Sequence, residues 1–245
     1  MKTIKVARTA SDGIAAARAY VYEGNSFIVP ETLIQDGDTD TELFKFEEAR
    51  KKIMGDLAVL ADEEEIFKAH LALADDVTFV NGVQDKIRNN HFNVQLAVHK
   101  TAEEIVSIFD MMSDEYMKER AADIKDIERR YLACLQGKKL IGFEGICEPV
   151  IIVAKELYPS DTASLDLNYI KGFITEDGGV TSHVSIIAKE IGLPALVGVS
   201  AILSQIKNGD LICMNAQEGM IVIEPDERTL RMYQDAGKLY QENHV

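Results

Sequence analysis

The chain has 245 residues, enough to bury a full core as one large domain or two modest ones, and 47% hydrophobic against 27% charged residues is the balance of a globular protein. A net charge of −15 argues against binding nucleic acid, whose phosphates select positive surfaces, and favours a basic protein partner. No apolar run is long enough to span a bilayer, so no membrane insertion is expected.

The amino terminus turns polar within a few residues of Met1 and lacks the apolar stretch of a secretion signal, which predicts a cytoplasmic protein. Cys134, Cys147 and Cys213 form no CxxC pair and are odd in number, so neither a zinc site nor a disulfide framework is expected. They read as buried or half-buried thiols.

In chain order, Ile4 to Tyr22 reads as two short extended pieces separated by a turn at Ala10-Ser11-Asp12-Gly13. After Pro30 and the polar cluster from Gln35 to Thr41 a helical period takes over. Phe46, Ala49, Ile53, Leu57 and Leu60 mark the buried stripe of a first helix, and a second run covers Glu63 to Ala74. Phe79, Val83 and Ile87 continue the pattern. Asn93 is placed to cap a further helix through Ala97, Ile105 and Ile108, and a last one starts near Ser113 and stops at Gly137. These segments predict a helical bundle.

Beyond Pro149 the texture changes to short β-branched runs, Val150 to Ala154 and Ile170 to Thr175. A helix from Thr181 to Gly192, with Thr181 as its cap, leads to a strand from Ala195 to Val199. Asp210 to Met214 and Gly219 to Ile223 then read as a hairpin. The closing segment, Glu227 to His244, is helical by propensity with a thin apolar side. The first strands need partners, and the economical solution is that they join the later sheet. The expectation is a mixed α/β fold: a discontinuous α/β domain of residues 1–27 and 146–226, an inserted helical domain of residues 28–145, and a connector helix of residues 227–245.

The chemistry concentrates in Gly178-Gly179-Val180-Thr181-Ser182-His183, which runs from a strand through a glycine pair into a helix start. Glycines permit a tight turn and a close ligand approach, and a helix N-terminus offers unpaired N–H groups and a positive dipole end to an anion. A histidine there keeps a ring nitrogen available as a nucleophile, and Ser182 and Ser185 are placed to add donors. On the residues alone a structural histidine is the competing reading. A nucleotide loop does not fit, because neither GxxxxGK[ST] nor GxGxxG is present.

Gly178-Gly179-Val180-Thr181-Ser182-His183, with Val184 to Lys189 behind it, resembles the phosphohistidine signature GGxTSHxxIxAR of phosphoenolpyruvate-using enzymes. Leu193 to Gly198 resembles the downstream LPAVVG element. Ala10 to Ala15 resembles an opening ASxGIA, Ile66 to His70 an IFxAH element, and Glu115 to Ile124 an EYxxERAADI element. In this order and spacing the motifs resemble the N-terminal domain of Enzyme I of the bacterial sugar phosphotransferase system.

The resemblance implies a swivelling phosphohistidine domain with an inserted helical bundle that binds the carrier HPr. It implies that His183 takes a phosphoryl group on Nε2, that Gly178, Gly179, Thr181 and Ser182 form the phosphate loop, and that Thr162 orients the histidine. On the residues alone Thr162 reads equally as a helix cap. Since Nε2 must present a lone pair, Nδ1 is expected to hold the ring proton and to find an acceptor such as the Thr162 hydroxyl. Asp62, Glu63, Glu64, Leu73 and Arg120 occupy the segments of the HPr surface, where single positions also read as solvated face. No cofactor is expected in this chain. The family's C-terminal barrel, which binds phosphoenolpyruvate with magnesium and forms the dimer, is expected to lie outside it, making the chain a fragment that exchanges phosphate with HPr.

Val180 stands where the signature has Arg or Met, and Lys189 stands where it has Arg. His70 reads as a hydrogen-bonded packing residue. Two other readings stay open at this point: the phosphohistidine domain of a dikinase or phosphoenolpyruvate synthase, against which the helical insert counts, and a silent adaptor for HPr-like proteins.

Overall fold

The computed structural model describes residues 1–6, 8–63, 65–112, 115–143, 145–163 and 165–244. Two compact units divide the chain, one made of Met1–Gly24 with Ile141–Val245 and the other of Asn25–Leu140.

The first unit is built on one eight-stranded mixed sheet. Its strands are β1 (Lys2–Lys5), β2 (Thr9–Ser11), β3 (Ile14–Tyr22), β4 (Val150–Ala154), β5 (Ile170–Thr175), β6 (Ala195–Leu196), β7 (Leu211–Asn215) and β8 (Met220–Ile223). They lie in the order β1-β8-β7-β3-β4-β5-β6-β2. From β3 to β6 neighbours are parallel, while β7, β8 and β1 on one side and β2 on the other pair antiparallel. The amino-terminal strands do join the later sheet: Val21 lies opposite Val153 and Ala17 opposite Ile212.

Two details depart from the sequence expectation. Ala10 and Ser11 belong to β2 itself, so the amino-terminal stretch is three strands and the turn narrows to Asp12-Gly13, where Gly13 takes φ 139°. The strand expected from Ala195 to Val199 ends at Leu196 because Gly198 adopts φ 69°, which no extended ladder accommodates.

The unbroken apolar run of β4 follows from burial on both faces. Ile151 and Val153 join Ile174, Leu196 and Ile212 on one side. Ile152 and Ala154 join Phe173, Val184 and Ala188 on the other, the last two supplied by α7 (His183–Glu190). The helix α8 (Glu227–His244), expected as a separate connector, belongs to this unit. Its narrow apolar side suffices because Leu230 and Tyr233 pack on Ile14, Ala16, Cys213 and Val222. Gly237 permits the approach, since a Cβ there would stand 2.8 Å from the Ile14 carbonyl oxygen.

The second unit consists of α1 (Thr39–Glu63), α2 (Ile66–Ala74), α3 (Val77–Asn90), α4 (Val94–Asp110) and α5 (Glu115–Leu135). The stripe Phe46, Ala49, Ile53 and Leu57 meets Phe79, Val83 and Ile87 of α3, Ala97 of α4 and Ile127 and Tyr131 of α5 in one core. Tyr131 lies 5.5 Å from the ring centroids of both Phe46 and Phe79, and its hydroxyl donates to the Ala74 carbonyl at the end of α2. Asn93 caps α4 by accepting from the Leu96 N–H. Gly137, at φ 63°, closes α5 with its N–H on the Cys134 carbonyl. Ser113, expected near the start of α5, lies outside the described residues. No described helix is long and apolar enough to cross a membrane.

Candidate active site

Adjacent parallel strands β4 and β5 end on the same side of the sheet, and each is followed by a helix that delivers one polar side chain. After β4 the chain turns into α6 (Pro159–Thr162), whose last residue is Thr162. After β5 it passes through residues 176–182 into α7, whose first residue is His183. The carboxyl ends of parallel strands are where open α/β sheets gather their ligands.

The two side chains meet. The Thr162 hydroxyl oxygen lies 2.9 Å from Nε2 of half-buried His183. It also lies 3.2 Å from the Pro159 carbonyl oxygen, an alternative acceptor for its proton. A hydroxyl has one proton, so two states are available. With the proton on Pro159 O, Thr162 accepts from an Nε2–H; with the proton on Nε2, that nitrogen keeps its lone pair and Nδ1 carries the ring hydrogen. This corrects the expectation that Thr162 serves Nδ1: α6 presents the hydroxyl to Nε2, the nitrogen expected to act as nucleophile.

The loop before His183 is tied down from three directions. Thr175, buried at the end of β5, donates to the Asp177 carbonyl at 2.7 Å. Ser185, fully buried on the inner side of α7, donates to the Gly179 carbonyl at 2.8 Å and lies 2.9 Å from the Ser182 hydroxyl. Because the Ser185 proton is used on Gly179, Ser182 is the donor in that pair. Ser185 is therefore an internal tie and does not serve as an open phosphate donor. Lys189 Nζ donates to the Val180 carbonyl at 3.0 Å, so the two departures from the signature meet each other.

Gly178 takes φ 98°, a region that favours glycine, whereas Gly179 has no positive φ and a Cβ there would find Thr181 Oγ1 as its nearest neighbour, 3.7 Å away. The helix cap is Ser182, at φ −58° and ψ 158°, and not Thr181, which is exposed one residue earlier. The shift puts His183 at the first helical position, where backbone N–H groups have no intrahelical acceptor and the dipole is positive.

The candidate carrier surface is spread over three helices of the second unit. Asp62 is exposed at the end of α1, and Leu73 of α2 is half-buried against the helical core. Arg120 of α5 reaches Asp123 at 3.4 Å. Glu64 and the side chain of Glu63 lie outside the described residues. His70 is fully buried, 3.3 Å from Asp123 and 3.5 Å from Asp126, which fits the packing role read from the sequence. Asp161 was missed altogether: it is buried beside Thr162 and engaged by Tyr22, a long-range contact that carries no local sequence signal.

Residues 7–120 match the family described as PEP-utilising enzyme, N-terminal, and residues 146–219 match PEP-utilising enzyme, mobile domain. The chain is 36% identical over 241 residues to a phosphoenolpyruvate-protein phosphotransferase of Bacillus sp. (strain S), covering 95% of this chain and 41% of that protein. It is 36% identical over 244 residues to the protein of the same description from Staphylococcus aureus, covering 94% and 42%. It thus spans about two fifths of the length of these curated relatives. The NMR solution structure of an Enzyme I protein (nEIt) superposes with a TM-score of 0.76 at 32% identity, covering 97% of this chain and all of that one. The N-terminal domain of a nitrogen Enzyme I shares the fold, with a TM-score of 0.53 at 21% identity. The chain belongs to the family of Enzyme I N-terminal domains.

Proposed function

We propose that this chain is the phosphocarrier part of a phosphoenolpyruvate-protein phosphotransferase, holding a phosphoryl group on His183 Nε2 and exchanging it with HPr. The observation that carries the reading is the meeting of Thr162 and His183 Nε2 at the first position of a helix behind a glycine turn.

In the resting arrangement the Thr162 hydroxyl occupies the Nε2 lone-pair direction. Transfer begins when that bond is released and the hydroxyl proton turns to Pro159 O, 3.2 Å away. Nε2 then attacks the phosphorus of phospho-HPr. One N–P bond forms on His183, the bond from phosphorus to the carrier breaks, and the carrier's side chain leaves with the electron pair. Nδ1 of His183 keeps its proton throughout. The phosphoryl oxygens lie against the backbone of Gly178, Gly179 and Thr181 and the first turn of α7, where the positive helix end favours the added charge, while the Ser182 N–H holds the loop together through the Gly179 carbonyl at 3.1 Å. Gly178 supplies the turn that brings this backbone close, and the tie from Lys189 holds the Val180 carbonyl.

HPr docks on the helical unit at Asp62, Glu63, Glu64, Leu73 and Arg120, its basic surface meeting an acidic rim around apolar contacts. Phosphoenolpyruvate use and its magnesium belong with the longer relatives' remaining length. Among the described residues no group of three or more His, Cys, Asp or Glu side chains is placed to hold a metal ion. The three free thiols fit a cytoplasmic setting.

The test is incubation with phospho-HPr followed by mass spectrometry. One acid-labile phosphate on the wild-type chain and none on His183→Ala is expected. Label persisting on another histidine of the variant overturns the assignment.

A further inference from the structure

We infer that Tyr22 and Asp161 are positioning residues that hold Thr162 against His183, an inference that rests on the phosphotransfer reading of that pair. The helix α6 has only four residues, far too few to persist on its own, so contacts from outside must fix the direction in which Thr162 points. Asp161 supplies them. Its side chain is 1% exposed, and Oδ2 accepts from the Tyr158 N–H at 3.0 Å, closing the helix start on itself. Oδ1 accepts from the Tyr22 hydroxyl at 2.6 Å, the short distance of an O–H bond to a carboxylate.

A buried carboxylate is costly unless its oxygens are engaged, so Asp161 is held where both donors reach it. Tyr22 is itself fixed. It is the last residue of β3, paired in register with Ala154 of β4, and its ring lies 4.6 Å from that of Phe143. The Ile141 carbonyl oxygen, 2.8 Å from the same hydroxyl, is the alternative acceptor for its one proton, at a longer distance than Asp161 Oδ1. The chain of contacts runs from the end of a central strand through a phenol and a carboxylate to the backbone of α6, and the next residue is Thr162. In this inference both act through the threonine.

Tyr22→Phe removes the hydroxyl and keeps the ring against Phe143, so it is the main test, with Asp161→Asn as the second variant. Two readouts are compared: the ring ¹⁵N signals of His183 in the unphosphorylated chain, and the rate of phosphate uptake from phospho-HPr. Each variant should move the ring signals and slow uptake by about tenfold, the weight of one hydrogen bond to a charged group, with KM for HPr unchanged. In a Thr162→Val background Tyr22→Phe should change neither readout, because the link it acts through is gone. Unmoved ring signals, or an undiminished effect of Tyr22→Phe in the Thr162→Val background, overturn the inference. If the wild-type chain takes up no phosphate from phospho-HPr, the phosphotransfer reading fails instead, and the ring signals alone still decide whether Tyr22 and Asp161 place Thr162.

Discussion

Thr162 and His183, 21 residues apart in the chain, meet through the hydroxyl and Nε2 at 2.9 Å, so the nitrogen proposed to attack phosphorus is the one held at rest. The bond has opposite effects on transfer. Releasing it costs about 1 kcal/mol, whereas a ring misplaced by about 1 Å can lose about 100-fold in rate. Orientation outweighs release. Thr162→Val should therefore slow single-turnover transfer from phospho-HPr by about 10-fold to 100-fold, with HPr affinity unchanged. Faster transfer in the variant would mean that the threonine mainly guards Nε2.

The glycine pair separates into two roles. Gly178 at φ 98° should resist substitution on conformational grounds, and Gly178→Ala is expected to destabilise the α/β unit by about 1–2 kcal/mol as well as slow transfer. Gly179→Ala has no such strain and room for the methyl, so denaturant unfolding should show little change. A loss of transfer in Gly179→Ala with stability intact would locate the phosphoryl group against its backbone.

Much of this arrangement is legible in the sequence because it is local. The stripe of α1, the Asn93 cap, the β4 and β5 runs and the glycine turn into α7 each follow from spacing within a few residues. The parts that are not legible depend on residues distant in the chain. That Thr162 faces Nε2 is set by the direction of a four-residue helix, and that direction is held by Tyr22, 139 residues from Asp161. The packing of α8 on β3 is likewise hidden, because a helix with few apolar residues reads as exposed until Gly237 is seen to admit the Ile14 carbonyl. Thr181 was expected as the cap on composition, and the backbone chose Ser182 one residue later.

The thiols should react in order of exposure, which also corrects the expectation that all three are at least half-buried. Cys147 is exposed, Cys134 is intermediate with burial raising its pKa, and Cys213 is buried in β7 with its thiol pushed up to about 11. At pH 8 an aromatic disulfide reagent should label Cys147 first, Cys134 slowly, and Cys213 only on unfolding. The sign for stability follows from the raised pKa. The Cys213 contribution is complete below the ordinary value of 9.0 and is lost as pH rises toward about 11, so Cys213→Ala should flatten the alkaline fall in stability.

The carrier surface can be separated from general charge. The chain carries −15 overall, and a basic partner is attracted to all of it, but exposed charges are screened beyond about 8 Å at physiological ionic strength. Only charges near the docking site should then matter strongly to encounter. Asp62 and Glu65 are exposed around the end of α1 and the start of α2, with Glu65 engaged by Lys68 at 2.7 Å. Charge reversal of Glu63 and Glu64 to Lys should slow association with HPr at low salt, and added salt should bring the wild type toward the variant. The same reversal at Glu227 and Glu242 changes net charge equally but lies on α8, in the other unit, and should leave association nearly unchanged. Stopped-flow association over a salt series distinguishes the outcomes. Equal slowing by both pairs would reduce the effect to net charge, and no slowing by either would move the carrier off the α1–α2 region.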